Sequence, residues 1–265
     1  MIWVIFVATV IVVVLAIEAG FRLGCRVRQR SEDEKESSVS AIAGAILALA
    51  GFMLAFTFGI SSDRLHDRKT LVRDEANAIG TAWLRSDVLP EPDRAEAKGL
   101  LRKYVDDRLG AAQAQDLSQM EELLVESRRI QDQLWEMAVK NARKDMNSDV
   151  AALYIESLNE LINIHALRAA VALHAQIPGI IWLVLYALVI LGMIATGYQT
   201  AITGSARRSR AVSLLALSFS LVIALIAVLD RPESDFIRVP QEPLTDLQAS
   251  MVAGGEAPPD AGHGR

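Results

Sequence analysis

From Ser40 to Leu89 the chain runs fifty residues without a proline, and its chemistry changes halfway. Ala41 to Ile60 reads AIAGAILALAGFMLAFTFGI, with no charge, whereas Ser61 to Leu89 reads SSDRLHDRKTLVRDEANAIGTAWLRSDVL, a charged helical pattern. Nothing between the two halves breaks a helix except the tolerable Gly59. Fifty helical residues span about 75 Å, against a bilayer hydrocarbon core of roughly 30 Å. One helix is therefore predicted to begin inside a membrane and to leave it as a solvated rod.

Three further windows match the apolar half of that rod. Ile2–Phe21, Ala41–Ile60, Pro178–Tyr198 and Ala211–Leu229 are nearly free of charge and have about the 20 residues a spanning helix needs. Residues Ser62–Ile177 instead carry 20 acidic and 16 basic side chains, the composition of a solvated helical domain. The predicted class is all-α: four transmembrane helices with a helical bundle between the second and third. The segments are 1–39 (first span and basic loop), 40–60 (second span), 61–177 (bundle), 178–230 (third and fourth spans) and 231–265 (tail, disordered from about 251). A net charge of −5 argues against nucleic acid as a partner. The single cysteine, Cys25, excludes an intramolecular disulfide and a thiolate zinc site.

The first span has no basic residue before it and has Arg22, Arg26, Arg28 and Arg30 after it, the reverse of a signal peptide. It reads as a retained helix. The loop Arg22–Val39 adds Lys35 to those four, and Gln199–Arg210 holds Arg207, Arg208 and Arg210 with no acid. Positive charge in short loops favours the cytoplasm. Both termini and residues 61–177 are thus predicted to face the periplasm of a bacterial inner membrane, with Arg64, Arg68 and Lys69 as the opposing signal.

Within the bundle, Leu89-Pro90-Glu91-Pro92 forces a turn. A helix is predicted over Asp93–Leu109 and stopped by Gly110; a second opens at a capping box, Ser118-Gln-Met-Glu121, and runs to about Lys144. A last helix, capped by Ser148 or Asp149, keeps Val150, Leu153, Tyr154, Leu158, Leu161, Ile162 and Leu167 in register up to Ile177-Pro178. On the rod, Leu65, Val72, Ala76, Ile79 and Trp83 form a coiled-coil-like seam, which could close within one chain or between chains.

The run Leu54-Ala-Phe-Thr-Phe, Asp63-Arg64, Arg68-Lys69, Leu71-Val and Asp74-Glu75-Ala-Asn77 resembles the corresponding helix of bestrophins. The closer resemblance is to a bacterial family called bestrophin-like, and it covers most of the chain. It rests on Glu75-Ala-Asn77-Ala-Ile-Gly80-Thr81, Leu84-Arg85, Leu89-Pro90, Tyr104-Val-Asp106 with Arg108, and Leu134-Trp135. It continues at Leu158-Asn159-Glu160, His165, Arg168, Pro178, Gly197-Tyr198 and Leu229-Asp230-Arg231-Pro232. Bestrophins are pentameric anion channels with an apolar neck, so the resemblance implies an oligomeric ion channel. An acidic cluster like the calcium site of animal bestrophins is missing from this sequence.

Small residues recur on the second span at Ala41, Gly44, Ala48, Gly51, Ala55 and Gly59, a stripe suited to close helix packing in lipid. Beside it lie Leu49, Phe52, Phe56 and Ile60. If this span lines a pore, Phe52 and Phe56 form an apolar neck; otherwise they contact lipid or other spans. Beyond them an acidic line (Asp63, Asp67, Asp74) runs beside a basic one (Arg64, Arg68), which reads as pore-mouth charge or as a neutralised solvated face. Glu18, one turn from Arg22, and Asp230, beside Arg231, are carboxylates at span ends that read as interfacial pairs before ion sites. Asn159, Asn163 and His165 place polar groups on a largely apolar helix, and bundle packing is the simpler reading. Asp63, His66 and Asp67 are too weak a spacing to assign a metal. No nucleophile elbow, phosphate-binding glycine loop or zincin pair occurs, so neither an enzyme nor a cofactor is expected. The expected partners are the lipid bilayer, further copies of the chain and, for a channel, a small inorganic ion. The contrasting function is a non-conducting scaffold or sensor whose periplasmic bundle binds a partner or ligand.

Overall fold

The structure, a computed structural model, describes residues 2–29, 36–114, 116–174, 176–203, 210–230 and 239–255. Among them are eight α-helices and no strand: α1 (Ile2–Arg28), α2 (Glu36–Arg85), α3 (Asp93–Gln113), α4 (Leu117–Ala142), α5 (Asp149–His174), α6 (Gly179–Ile202), α7 (Arg210–Asp230) and α8 (Glu242–Gly255). α1, α2, α6 and α7 are each long and apolar enough to cross a membrane. One helix of 50 residues, Glu36–Arg85, takes in the proline-free segment up to Arg85; a 3-10 turn over Ser86–Val88 and an extended Leu89 follow. The chain divides into two compact units, Met1–His66 with Ala175–Arg238 and Asp67–His174 with Val239–Arg265.

In the first unit, α1 and α6 meet backbone to backbone. A Cβ built on Gly20 would lie 2.0 Å from the Ile194 carbonyl oxygen, and one on Gly197 would lie 2.1 Å from that of Ile17. Gly24 approaches Tyr198 and Ala201 in the same way. Lipid supplies no hydrophobic drive between spans, so small residues that admit close van der Waals contact hold them together. Arg28 extends the pairing by donating to the Ala201 carbonyl in the last turn of α6, 3.3 Å away. Because α1 continues through Arg28, three of the basic residues expected in the first loop are helical. Arg30, Lys35, Arg207 and Arg208 lie outside the described residues.

α2 joins this unit by one face. Ala43, Ala50, Leu54, Thr57 and Ser61 are buried, and Ala50 and Leu54 share a core with Leu185, Val189, Met193 and Ile223. The buried hydroxyls are satisfied within the helix, Thr57 donating to the Met53 carbonyl and Ser61 to that of Thr57.

In the second unit the seam closes inside the chain except for Leu65, which belongs to the first unit and is only half-buried. Val72, Ala76, Ile79 and Trp83 pack with Leu101, Tyr104 and Val105 of α3, Ile130 and Leu134 of α4, and Tyr154, Leu158 and Leu161 of α5. Three local expectations are corrected. α3 passes through Gly110 to Gln113, and Gly110 faces Leu123 of α4, whose Cδ1 would be 3.3 Å from an added Cβ. The N-cap of α4 is Asp116, which accepts from the Gln119 amide at 2.7 Å, while Ser118 donates its hydroxyl to the same carboxylate. On α5, Val150, Leu153 and Leu167 are exposed, so the buried stripe is Tyr154, Leu158, Leu161 and His165.

The tail also departs from expectation. Val239 onward belongs to the second unit, α8 continues through Gly255, and Met251 is buried. Two apolar anchors, Leu244 and Met251, keep this segment ordered where its Gly- and Ala-rich composition suggested none. The rest of that expectation, residues 256–265, lies outside the described residues.

Candidate functional site

The exposed face of α2 in the first unit carries Leu49, Phe52 and Phe56, with Phe52 and Phe56 at 65% and 61% exposure. Gly44, Gly51 and Gly59 on the same span would meet nothing within 4 Å if given a Cβ, and Ala48 and Ala55 are exposed. The stripe expected to pack helices is therefore unoccupied by the chain's own described residues, and the close approaches belong to Gly20, Gly24 and Gly197. The signal for that pair was Gly20-x-x-x-Gly24, a small-residue spacing near the end of the first span.

The four charges nearest the aromatic pair divide between two faces of α2, while Lys69 and Arg73 farther along are exposed. Asp63 and Asp67 are exposed. They follow Phe52 and Phe56 at spacings of four, seven and four, so all four share a helix face. Arg64 turns inward and donates to Asp230 at 3.3 Å, and Arg68 is buried. Asp230 also accepts from the Ile177 amide at 2.8 Å, just before Pro178 opens α6. Its described partners are thus on other segments, whereas sequence adjacency pointed to Arg231, which lies outside the described residues. Glu18 accepts from Arg22 Nε at 2.7 Å, one turn along α1.

The second unit holds an ionic centre that sequence reasoning did not assemble. Glu75 of α2 is fully buried. Its Oε1 accepts from Arg108 Nε at 2.8 Å and from the Tyr104 hydroxyl at 2.9 Å. Its Oε2 accepts from Arg108 Nη2 at 3.4 Å and from Arg168 Nη1. Arg168 also donates through Nη2 to the side-chain oxygen of Gln241 at 2.8 Å. Gln131 of α4 donates to the Tyr104 hydroxyl at 3.3 Å, and His165 Nδ1 lies 2.9 Å from it. Tyr104 gives its only proton to Glu75, so its oxygen accepts from both Gln131 and His165. That assigns the His165 proton to Nδ1 and leaves Nε2 as the atom that would take another.

The electrostatics of this centre follow from its charges. Burial alone would raise the Glu75 pKa, but the guanidiniums of Arg108 and Arg168 outweigh it and hold the carboxyl below its ordinary value. His165 is lowered to about 4, first by burial and then by Arg108, with Glu75 pulling the other way. Burial and the Glu75 charge push Tyr104 well above its usual value. At neutral pH the centre thus holds one carboxylate, two guanidiniums, a neutral imidazole and a neutral phenol. A buried, hydrogen-bonded set of this kind ties α2, α3, α4 and α5 in one geometry. Among the described residues no cluster of three or more His, Cys, Asp or Glu could hold a metal.

A sequence signal for it did exist. Glu75 falls in the buried register of Val72, Ala76 and Ile79; Arg108 falls in that of Leu101, Tyr104 and Val105; His165 and Arg168 follow Leu158 and Leu161. Opposite charges in buried registers of separate helices must find each other. Asn159 and Asn163 lie off that register and are exposed.

A crystal structure of a bacterial bestrophin homologue from Klebsiella pneumoniae matches with a TM-score of 0.66 at 15% identity, covering 97% of this chain and 100% of that one. A mutant of that homologue gives 0.68 at 13% identity, over 94% and 98%. A crystal structure described as a membrane protein gives 0.65 at 14%, over 98% and 100%. At these identities the likeness is one of fold. No curated protein matches the chain. The bestrophin-like domain family matches residues 7–244. The chain belongs to the bestrophin-like family.

Proposed function

We propose that this protein is an oligomeric ion channel of a bacterial inner membrane in which α2 lines the pore. The observation that carries the reading is the division of α2 into two faces. One face is buried in its own chain, while the other presents Phe52, Phe56 and open small residues that meet nothing within it. Copies arranged with that face inward would set Phe52 and Phe56 as an apolar constriction, gated by dewetting. Asp63 and Asp67 follow Phe52 and Phe56 on that face, and the exposed Lys69 and Arg73 follow the small residues beside them. The family resemblance supports conduction and implies anions, whereas a ring of carboxylates favours cations. The basic residues of the two short connections support an orientation with both termini and residues 61–177 in the periplasm.

Liposome flux with purified protein tests this. Wild type is expected to pass small ions, and Phe52→Ala and Phe56→Ala to change flux or selectivity. No flux over a range of pH, calcium and voltage rejects the channel and favours a non-conducting scaffold or sensor.

A further inference from the structure

We infer that α8 is a releasable latch on the second unit, and that Arg168 couples its docking to the buried Glu75. α8 has 14 residues, too few to stay helical alone in water, so its helicity depends on being docked. Its apolar anchorage is slight: Leu244 and Met251 are buried, and Leu247 is partly so. Leu247 packs over Gly80 of α2: a Cβ there would touch its Cδ1 at 3.4 Å, an ordinary contact, and a longer side chain would compete for its seat.

Two of the polar ties involve exposed groups of α3. Arg102 donates to the Met251 carbonyl at 2.8 Å, and Gln248 donates to Asp106 at 2.5 Å. Water replaces such bonds at little net cost.

The tie at the start of α8 is different. Gln241 donates its amide to the Val239 carbonyl at 2.8 Å, which aims its oxygen at Arg168. Arg168 divides its guanidinium between that oxygen and Glu75. Undocking α8 removes one of those partners and opens Arg168 to water. Its pairing with Glu75 then weakens, because solvation screens a charge pair that burial strengthens. Docking therefore sets how firmly the centre grips α2. This inference goes beyond the channel reading and does not require it.

Amide hydrogen exchange on the full-length protein in lipid nanodiscs tests the latch. In wild type, α8 amides are expected to exchange at least tenfold faster than the buried amides of α3, α4 and α5. Gln241→Ala and Gly80→Leu, the latter filling the seat of Leu247, should accelerate α8 further. Amides flanking Arg168 and Glu75 should accelerate with it, and Gly80→Ala should behave as wild type. Exchange of α8 at the same rate as the three core helices overturns the latch. Release of α8 with no change around Arg168 and Glu75 overturns the coupling. If wild type carries no ion flux, the channel reading fails while the exchange result still decides the latch.

Discussion

Lowering the pH should destabilise the second unit through one imidazole. His165 is neutral in the fold, with a pKa of about 4 against an ordinary 6.5. The stability it contributes is present above about 6.5 and is lost as pH falls toward 4, because the unfolded chain takes up the proton first. Between about pH 7 and pH 4.5 the loss is about 2.4 kcal/mol, roughly sixty-fold in the folding constant. His165→Asn offers an amide in place of Nδ1–H and does not titrate, so its stability should lack this component. Titration of Glu75 also weakens the fold in acid, below its ordinary range, and that component is shared by both proteins. The assay is urea unfolding in micelles at a series of pH values, in a background with Trp3→Phe and Trp182→Phe. Trp83 and Trp135 of the second unit then report. Parallel stability curves for the two proteins would refute the reasoning.

The other predictions concern charge, packing and selectivity. Glu75→Gln leaves two buried guanidiniums facing a neutral amide and should cost about 3–5 kcal/mol in the same unfolding assay; Tyr104→Phe should cost about 1–3 kcal/mol. Gly20→Ala or Gly197→Ala puts a methyl group onto a carbonyl oxygen of the facing helix and should cost about 1–3 kcal/mol or more, read as a lower thermal midpoint in micelles. Gly51→Ala, with open space beside it, should leave that midpoint unchanged. In planar bilayers, Asp63→Asn with Asp67→Asn should shift the reversal potential under a salt gradient toward anion permeation, and an unchanged potential would remove these carboxylates from the conduction path.

The sequence shows some features of this molecule clearly and hides others. The four apolar helices and the 50-residue α2 were legible because hydrocarbon thickness sets a length that composition alone reveals. The seam at Val72, Ala76, Ile79 and Trp83 was legible because 3.6-residue periodicity is local. What closes the seam was not legible, since its partners come from three later helices. The Glu75 centre was hidden for the same reason: its carboxylate meets groups 29, 33 and 93 positions away. Pattern reading grouped Arg64 and Arg68 with Asp63 and Asp67 because they are neighbours in sequence. The tertiary fold divides them, since Arg64 finds Asp230 across 166 residues.

The backbone contact between α1 and α6 also bears on how the protein is made. α6 follows its partner α1 only after the whole of α2 to α5 has been synthesised. At 5–20 residues per second the interval is roughly ten to thirty seconds. Through that time Gly20 and Gly24 are a bare backbone strip open to any other helix in the bilayer. The first span must therefore hold its place without its permanent neighbour, which has to displace whatever lipid or transient helix has filled the groove.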